Sequence, residues 1–125
     1  MNAFPELPWF RAYAAALEKD ADFRANCRWF RGRVAFRVDG QACTVAFDDG
    51  MVTGVEEGMQ GAEYVLSAPR SCWDRLLHAD ITLLRLYRAG ELDIRGRNTE
   101  IMKNWKALFW IAEGMKLVAG SGRKD

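Results

Sequence analysis

Pro8 is followed by apolar residues at three- and four-residue spacing, Trp9, Phe10, Tyr13, Ala14 and Leu17, which predicts a helix with one greasy side. Glu18-Lys19-Asp20 ends it, and Asp20 or Asp22 is placed to cap a second short turn carrying Phe23 and Cys27. At Gly32 the period changes from helical to alternating. Val34, Phe36 and Val38 point one way and Arg33, Ala35 and Arg37 the other, the pattern of a strand with one buried face. Asp39-Gly40 and Asp49-Gly50 are dipeptides suited to two-residue hairpin turns. They bracket a second strand with Cys43, Val45 and Phe47, and lead into a weaker third strand over residues 51–57.

The turn length sets the register. A two-residue loop at Asp39-Gly40 places Val38 against Gln41, Phe36 against Cys43 and Val34 against Val45, so the apolar faces coincide. Continued without interruption through the second turn, the same rule places Phe47 opposite Val52 and Val45 opposite Gly54. A glycine there would leave a hollow in the apolar face; a bulge is the other reading.

Residues 62–67 read as a fourth strand, and Pro69 at a first helical position opens a short helix bearing Trp73, Leu76 and Leu77 on one side. Asp80 is placed to cap the next helix, residues 81–87, which Ala89-Gly90 ends. Leu92 and Ile94 mark a last strand over residues 91–95. Asn98 then caps a long final helix to about Ala119, and residues 120–125 read as a frayed tail. The expected fold class is α+β, with helices packed on one face of a mainly antiparallel sheet.

Composition narrows the functional classes. A chain of 125 residues with half its residues hydrophobic fits a single domain, expected to span residues 1–125 with residues 1–30 as a helical extension. Lys and Arg total 18 against 17 Asp and Glu, a net charge of +1 that argues against a dedicated nucleic-acid binder. Three scattered cysteines, Cys27, Cys43 and Cys72, without a Cys-x-x-Cys pair fit a reducing compartment. The start of the chain, with Pro5, Glu6 and Pro8, does not read as a signal peptide. The longest apolar run, residues 107–112, is too short for a transmembrane segment and sits between Lys106 and Glu113. The expected location is cytoplasmic.

Candidate chemistry is sparse. His78 is the single histidine, six positions after Cys72 on the same helix and hence nearly opposite it. Neither a metal site nor a nucleophile–base pair is expected from them. Asp48-Asp49 falls in a turn, where Asp serves the backbone, and Glu56-Glu57 straddles the two faces of a strand. Gly120-Ser121-Gly122-Arg123-Lys124 resembles a phosphate loop only superficially, since no helix follows. Arg24, Arg28, Arg31, Arg33 and Arg37 interleave with Trp29 and Phe30, a mixture that suits anionic headgroups or nucleic acid, or simply a solvated strip. No catalytic residue, cofactor or metal is expected.

The apolar positions say more. Ile101, Met102, Trp105, Leu108, Phe109, Ala112 and Met115 make a wide stripe on the final helix, with Lys103, Lys106 and Glu113 opposite. Trp110 and Leu117 form a second ridge beside the polar side. A subunit contact, a ligand, or the N-terminal helix could each cover it. Five Trp and five Met suit either a core or an adaptable pocket.

Residues 62–116 resemble the sterol carrier protein type-2 family of small lipid-transfer domains. The likeness runs through Glu63-Tyr64-Val65-Leu66-Ser67, Trp73-Asp74-Arg75-Leu76-Leu77, Asp80 and the helix after it. Its most recognisable stretch is Ala89-Gly90-Glu91-Leu92-Asp93-Ile94-Arg95-Gly96, similar to the family's "aGxLxIxG" turn and last strand. The hairpins of residues 34–54 are similar to the family's opening strands. The resemblance implies a five-stranded sheet with helices on one face enclosing an apolar tunnel, and binding of sterols, fatty acids or acyl thioesters. It carries over no catalytic or ligand-contacting residue. The aromatic N-terminal extension and the Trp-bearing last helix go beyond the family pattern, and both are placed to plug the tunnel.

These readings converge on a non-enzymatic protein that binds an apolar, lipid-like small molecule. The expected lining is Phe36, Val45, Phe47, Leu66 and Ile94 from the sheet, Trp73, Leu77 and Leu84 from the short helices, and Trp105 and Phe109 from the last. The alternative is a protein-interaction module with a self-filled pocket. It would dimerise through Trp110 and Leu117 or serve as an accessory subunit of a lipid-metabolising enzyme.

Overall fold

The computed structural model describes residues 3–119; Met1, Asn2 and the tail of residues 120–125 lie outside them. Two helices come first, α1 (Leu7–Lys19) and α2 (Ala21–Cys27). Asp20 is the cap between them: its carboxylate accepts from the Phe23 amide at 3.1 Å. Three strands follow, β1 (Gly32–Val38), β2 (Gln41–Asp48) and β3 (Met51–Glu57), and then β4 (Tyr64–Ala68). The helices α3 (Arg70–His78) and α4 (Leu83–Arg88) lead to the short strand β5 (Asp93–Arg95). The described chain ends with α5 (Asn98–Lys103) and α6 (Trp105–Ala119).

The strands form one sheet in the order β3-β2-β1-β4-β5. Asp39 sits at φ 54°, as a two-residue hairpin turn requires, and the register is the expected one: Val38 with Gln41, Phe36 with Cys43, Val34 with Val45. Pairing of β1 with β4 is parallel, and the other pairings are antiparallel. That parallel contact brings Phe36 beside Leu66 and, across β4, Leu66 beside Ile94.

The structure decides one open reading in favour of the bulge and corrects three local expectations. Phe47 does face Val52, but a bulge follows, so Val45 faces Val55 and Gly54 faces Ala46 on the other side of the sheet. The hollow expected opposite Val45 is therefore filled by Val55. Thr82, not Asp80, caps α4, accepting from the Arg85 amide at 3.3 Å. Pro69 stands just before α3 rather than inside it. The final helix is broken: Asn98 is its first residue rather than its cap, and Asn104 at φ −108°, ψ 20° separates α5 from α6. Asn104 donates its side-chain amide to the Tyr64 hydroxyl at 2.9 Å, a long-range bond that fixes the break against β4.

Residues 4–30 contribute to the same core as the sheet. Phe4, Trp9, Phe10, Tyr13, Leu17, Phe23, Cys27 and Phe30 are all buried in one apolar cluster with the inner strand residues. Tyr13 donates its hydroxyl to the Ile111 carbonyl at 2.6 Å, tying α1 to α6. Lys116 is almost fully buried, and its ammonium donates to the Ile81 carbonyl at 2.8 Å while lying 3.2 Å from Glu113. The loop before α4 is thereby pinned to the last helix.

Gly50 shows how closely α2 meets the sheet. It lies at φ +76°, and a Cβ there would come within 2.6 Å of the Arg28 Cα and the Cys27 carbonyl oxygen, both backbone atoms that cannot swing away. Gly54 has open space at the same position. We therefore expect Gly50→Ala to cost at least about 2 kcal/mol in urea unfolding, from left-handed backbone strain plus the clash. Gly54→Ala should be neutral or slightly stabilising. Equal effects at the two sites would contradict the close approach.

Candidate functional site

Side chains of alternate residues on the five strands point to the helices, and cross-strand pairing lines them up in rows. One row is Val55, Val45, Val34 and Tyr64; the next is Cys43, Phe36, Leu66 and Ile94. Phe47 pairs with Val52 at one end of this surface. Phe36 is the hub. Phe10 and Tyr13 of α1 rest on it at 5.2 and 5.9 Å between ring centroids, and Trp73 of α3 at 6.1 Å. Trp73 is held in place by its indole N–H, which donates to the Arg37 carbonyl at 2.9 Å. At the other end Phe23 and Phe30 meet Phe47 at 6.0 and 5.6 Å, and Phe30 also meets Tyr64 at 5.7 Å.

The expected lining residues fall into two groups. Phe36, Val45, Phe47, Leu66, Ile94, Trp73 and Leu77 are all buried in this layer between sheet and helices. Leu84, Trp105 and Phe109 are only partly buried. In α4 it is Leu83 and Leu86 that turn inward. Trp105 packs against Tyr87 at 5.6 Å, and Phe109 meets Trp110 edge-on at 5.5 Å. Trp110 and Leu117 are themselves partly buried and rest against the core of the same chain.

The layer also contains residues that sequence periodicity did not assign to it. Phe4, Phe10 and Tyr13 bring an aromatic wedge from the N-terminus, with Phe4 6.1 Å from Trp73 and 5.9 Å from Phe10. The helical spacing of Phe10 and Tyr13 was readable; that they rest on Phe36 depends on a contact distant in sequence.

The layer is chemically quiet. Burial pushes the Cys27 thiol up to about 12, with the nearby Lys106 offsetting only part of it, and its Sγ donates to the Ala107 carbonyl at 3.7 Å. Burial likewise raises Cys43 to about 11, Glu57 adding to the effect. Thiols held protonated are poor nucleophiles. Tyr13 is also raised well above its ordinary value by burial. His78 is exposed at the end of α3. Asp48 and Asp49 lie at the hairpin turn, and Glu56 is paired with Arg33 at 3.2 Å. Among the described residues, no group of three or more His, Cys, Asp or Glu is placed to hold a metal ion. No described helix is long and apolar enough to cross a membrane.

No protein-family model matches the chain, and no curated protein matches it. Solved structures do. The crystal structure of sterol carrier protein 2 superposes with a TM-score of 0.80 at 19% identity, over 94% of this chain and 98% of that one. The chain has the sterol carrier protein 2 fold. A conserved hypothetical protein of Thermus thermophilus, suggested to be a sterol carrier protein, superposes at 0.78 with 21% identity, covering 94% and 90% of the two chains. A ubiquinone synthesis protein, UbiJ-SCP2, superposes at 0.58 with 22% identity, covering 90% and 97%. The sterol carrier protein 2 fold accounts for the five strands with helices on one face and for the position of the Leu92–Ile94 segment at the sheet edge.

The buried thiols give this layer a pH signature. Unfolded thiols ionise near 9.0, whereas Cys43 and Cys27 keep their protons to about 11 and about 12. A folded-state value above the unfolded one makes the contribution to stability whole below the unfolded value and erodes it as pH rises. Urea midpoints should therefore fall between about pH 9 and pH 11, and fall less steeply in Cys27→Ala. An identical slope in the variant would show that Cys27 is solvated.

Proposed function

We propose that the chain is a non-enzymatic carrier of an apolar lipid, an acyl chain or a polycyclic hydrocarbon, held between the inner face of the sheet and the helices and working in the cytoplasm. The observation that carries this reading is the continuous apolar floor of Phe36, Leu66 and Ile94 under Trp73, in a fold shared with sterol carrier proteins. The ten residues expected from the sequence remain the proposed lining, with the buried seven as the floor and walls. Leu84, Trp105 and Phe109 would stand at its margin.

The space over Phe36 is occupied by the chain's own aromatic rings, so a ligand has to displace some of them. Phe4 is the ring proposed to move, because it precedes α1 and can leave its contacts with Trp9, Phe10, Trp73 and the Arg70 guanidinium, 6.0 Å from its centroid, without unwinding a helix. Exposing one Phe costs about 1.5–3 kcal/mol. Burying about ten methylenes of an acyl chain gains roughly 8 kcal/mol before association entropy, at about 0.8 kcal/mol each. The gross gain exceeds the cost of exposing one ring, and association entropy is set against the difference.

A fluorescent fatty acid should therefore titrate saturably at micromolar concentration and change the Trp emission. Phe4→Ala should bind it faster, by several-fold in stopped flow, and Phe36→Ala should lose binding along with about 3–5 kcal/mol of stability. An unsaturable response, or an unchanged rate in Phe4→Ala, would reject the internal site.

The likeness to UbiJ-SCP2, a ubiquinone synthesis protein, supports a second reading, in which the chain presents a lipid to a partner enzyme as an accessory subunit. The Trp110 and Leu117 ridge is the proposed contact, with a partner or with a second copy. A native mass spectrum showing a monomer, with partner binding unaffected by Trp110→Glu, would count against that contact.

A further inference from the structure

We propose that the groove between the N-terminal segment and the end of β3 is the mouth of the internal site, and that it takes the head group of an apolar lipid ending in a hydroxyl rather than a carboxylate. The inference rests on the carrier reading above and names the ligand class for that same site. The groove, of about 700 Å³, is lined by Pro5, Glu6 and Pro8 of the N-terminal segment and by Cys43, Glu57 and Met59 of β2, β3 and the turn that follows.

The register of the sheet makes the groove continuous with the apolar floor. Glu57 pairs with Cys43, Cys43 with Phe36, Phe36 with Leu66 and Leu66 with Ile94, so one row of inward positions runs from the groove across the sheet. Cys43 belongs to both, buried in the layer and lining the groove. Phe4, the ring proposed to move, directly precedes Pro5. The two walls are held differently. Gly58 is fixed to β2 twice, its amide donating to the Ala42 carbonyl at 2.8 Å and its carbonyl accepting from the Thr44 hydroxyl at 2.7 Å. Across the groove, the Glu6 amide donates to the Ala3 carbonyl and the Glu6 carbonyl accepts from Trp9 and Phe10, all within the N-terminal segment and α1. That wall can swing while the strand wall stays.

The charges at the mouth set the head group. Glu6 is the N-cap residue of α1, yet its carboxylate makes no cap bond. Among the described residues, neither Glu6 nor Glu57 has an ion-pair partner. A hydroxyl can donate to such a carboxylate, whereas an ionised fatty acid has no proton to give and is repelled. Two cations are near. Burial dominates the rise of the Cys43 thiol, Glu57 adds to it and Arg11 opposes it more weakly, and Arg70 beside Phe4 is engaged by Asp74 at 3.8 Å. The positive end of α1 would draw an anion, but Glu6 already stands at it. An ammonium head group would meet Arg11 and would lose more hydration than a hydroxyl on entering.

The test compares decanol with decanoate at about pH 8, by Trp emission, in the unaltered chain, in the double variant Glu6→Gln/Glu57→Gln, and in Glu18→Gln at the far end of α1. Any apolar site prefers the alcohol, so the quantity read is the ratio of the two dissociation constants. That ratio should fall about tenfold in the double variant at low salt, fall less at high salt, and stay unchanged in Glu18→Gln. Nuclear Overhauser contacts from the C1 protons of bound decanol should reach the Gly58 amide. If neither lipid binds any of the chains, the carrier reading falls and this inference with it. Saturable binding with the same ratio in the double variant, an equal fall in Glu18→Gln, C1 contacts confined to other parts of the chain, or tighter binding of decylammonium than of decanol would each overturn this inference alone.

Discussion

The contact of Phe10, Tyr13 and Trp73 with Phe36 is the constraint on which the molecule depends. A five-stranded sheet with one apolar face must be covered, and in this chain much of the cover over its centre is aromatic. Large flat rings bury much area per residue but leave awkward gaps, so their orientations must be fixed by something else. Here polar bonds at the rim do that work. Trp73 is tethered to the Arg37 carbonyl, Tyr13 to the Ile111 carbonyl, and Tyr64 accepts from Asn104. Each such bond satisfies a polar group at the edge of the greasy layer and sets the angle of the ring or turn behind it.

This division of labour bears on function. A layer assembled from rings contributed by separate elements can be opened by moving one element, whereas a core of interlocked aliphatic side chains would have to be rebuilt. On the proposed reading the N-terminal segment is the piece that withdraws, since the strands pair with one another and not with it. In the proposed function such an exchange admits the ligand, into a layer whose thiols are held protonated by burial.

What was legible in the sequence was local. Alternation plus the Asp39-Gly40 turn fixed the pairing of Phe36 with Cys43 because a two-residue loop leaves no freedom of register. Asp20 was readable as a cap because the acceptor lies three residues from its donor. What the sequence left open or unannounced came mostly from contacts with other strands and helices. The bulge near Ala46 shifted β3 by one residue, the break at Asn104 answers to Tyr64, and the parallel pairing of β1 with β4 has no connecting turn to announce it. The buried inner face was legible where a strand's period assigned it, at Phe36, Val45, Phe47, Leu66 and Ile94. On α4 the inward side belongs to Leu83 and Leu86, because a six-residue helix is too short for its period to identify a buried side.

The most direct test of the central claim is an NMR titration of the methyl- and aromatic-labelled chain with a carbon-13-labelled fatty acid, read by intermolecular nuclear Overhauser effects. The account predicts saturable contacts from the acyl chain to Leu66, Ile94, Phe36 and Trp73, with loss of the contacts between Phe4 and Trp73. Contacts confined to exposed residues, with the Phe4–Trp73 contacts unchanged at saturation, would contradict it.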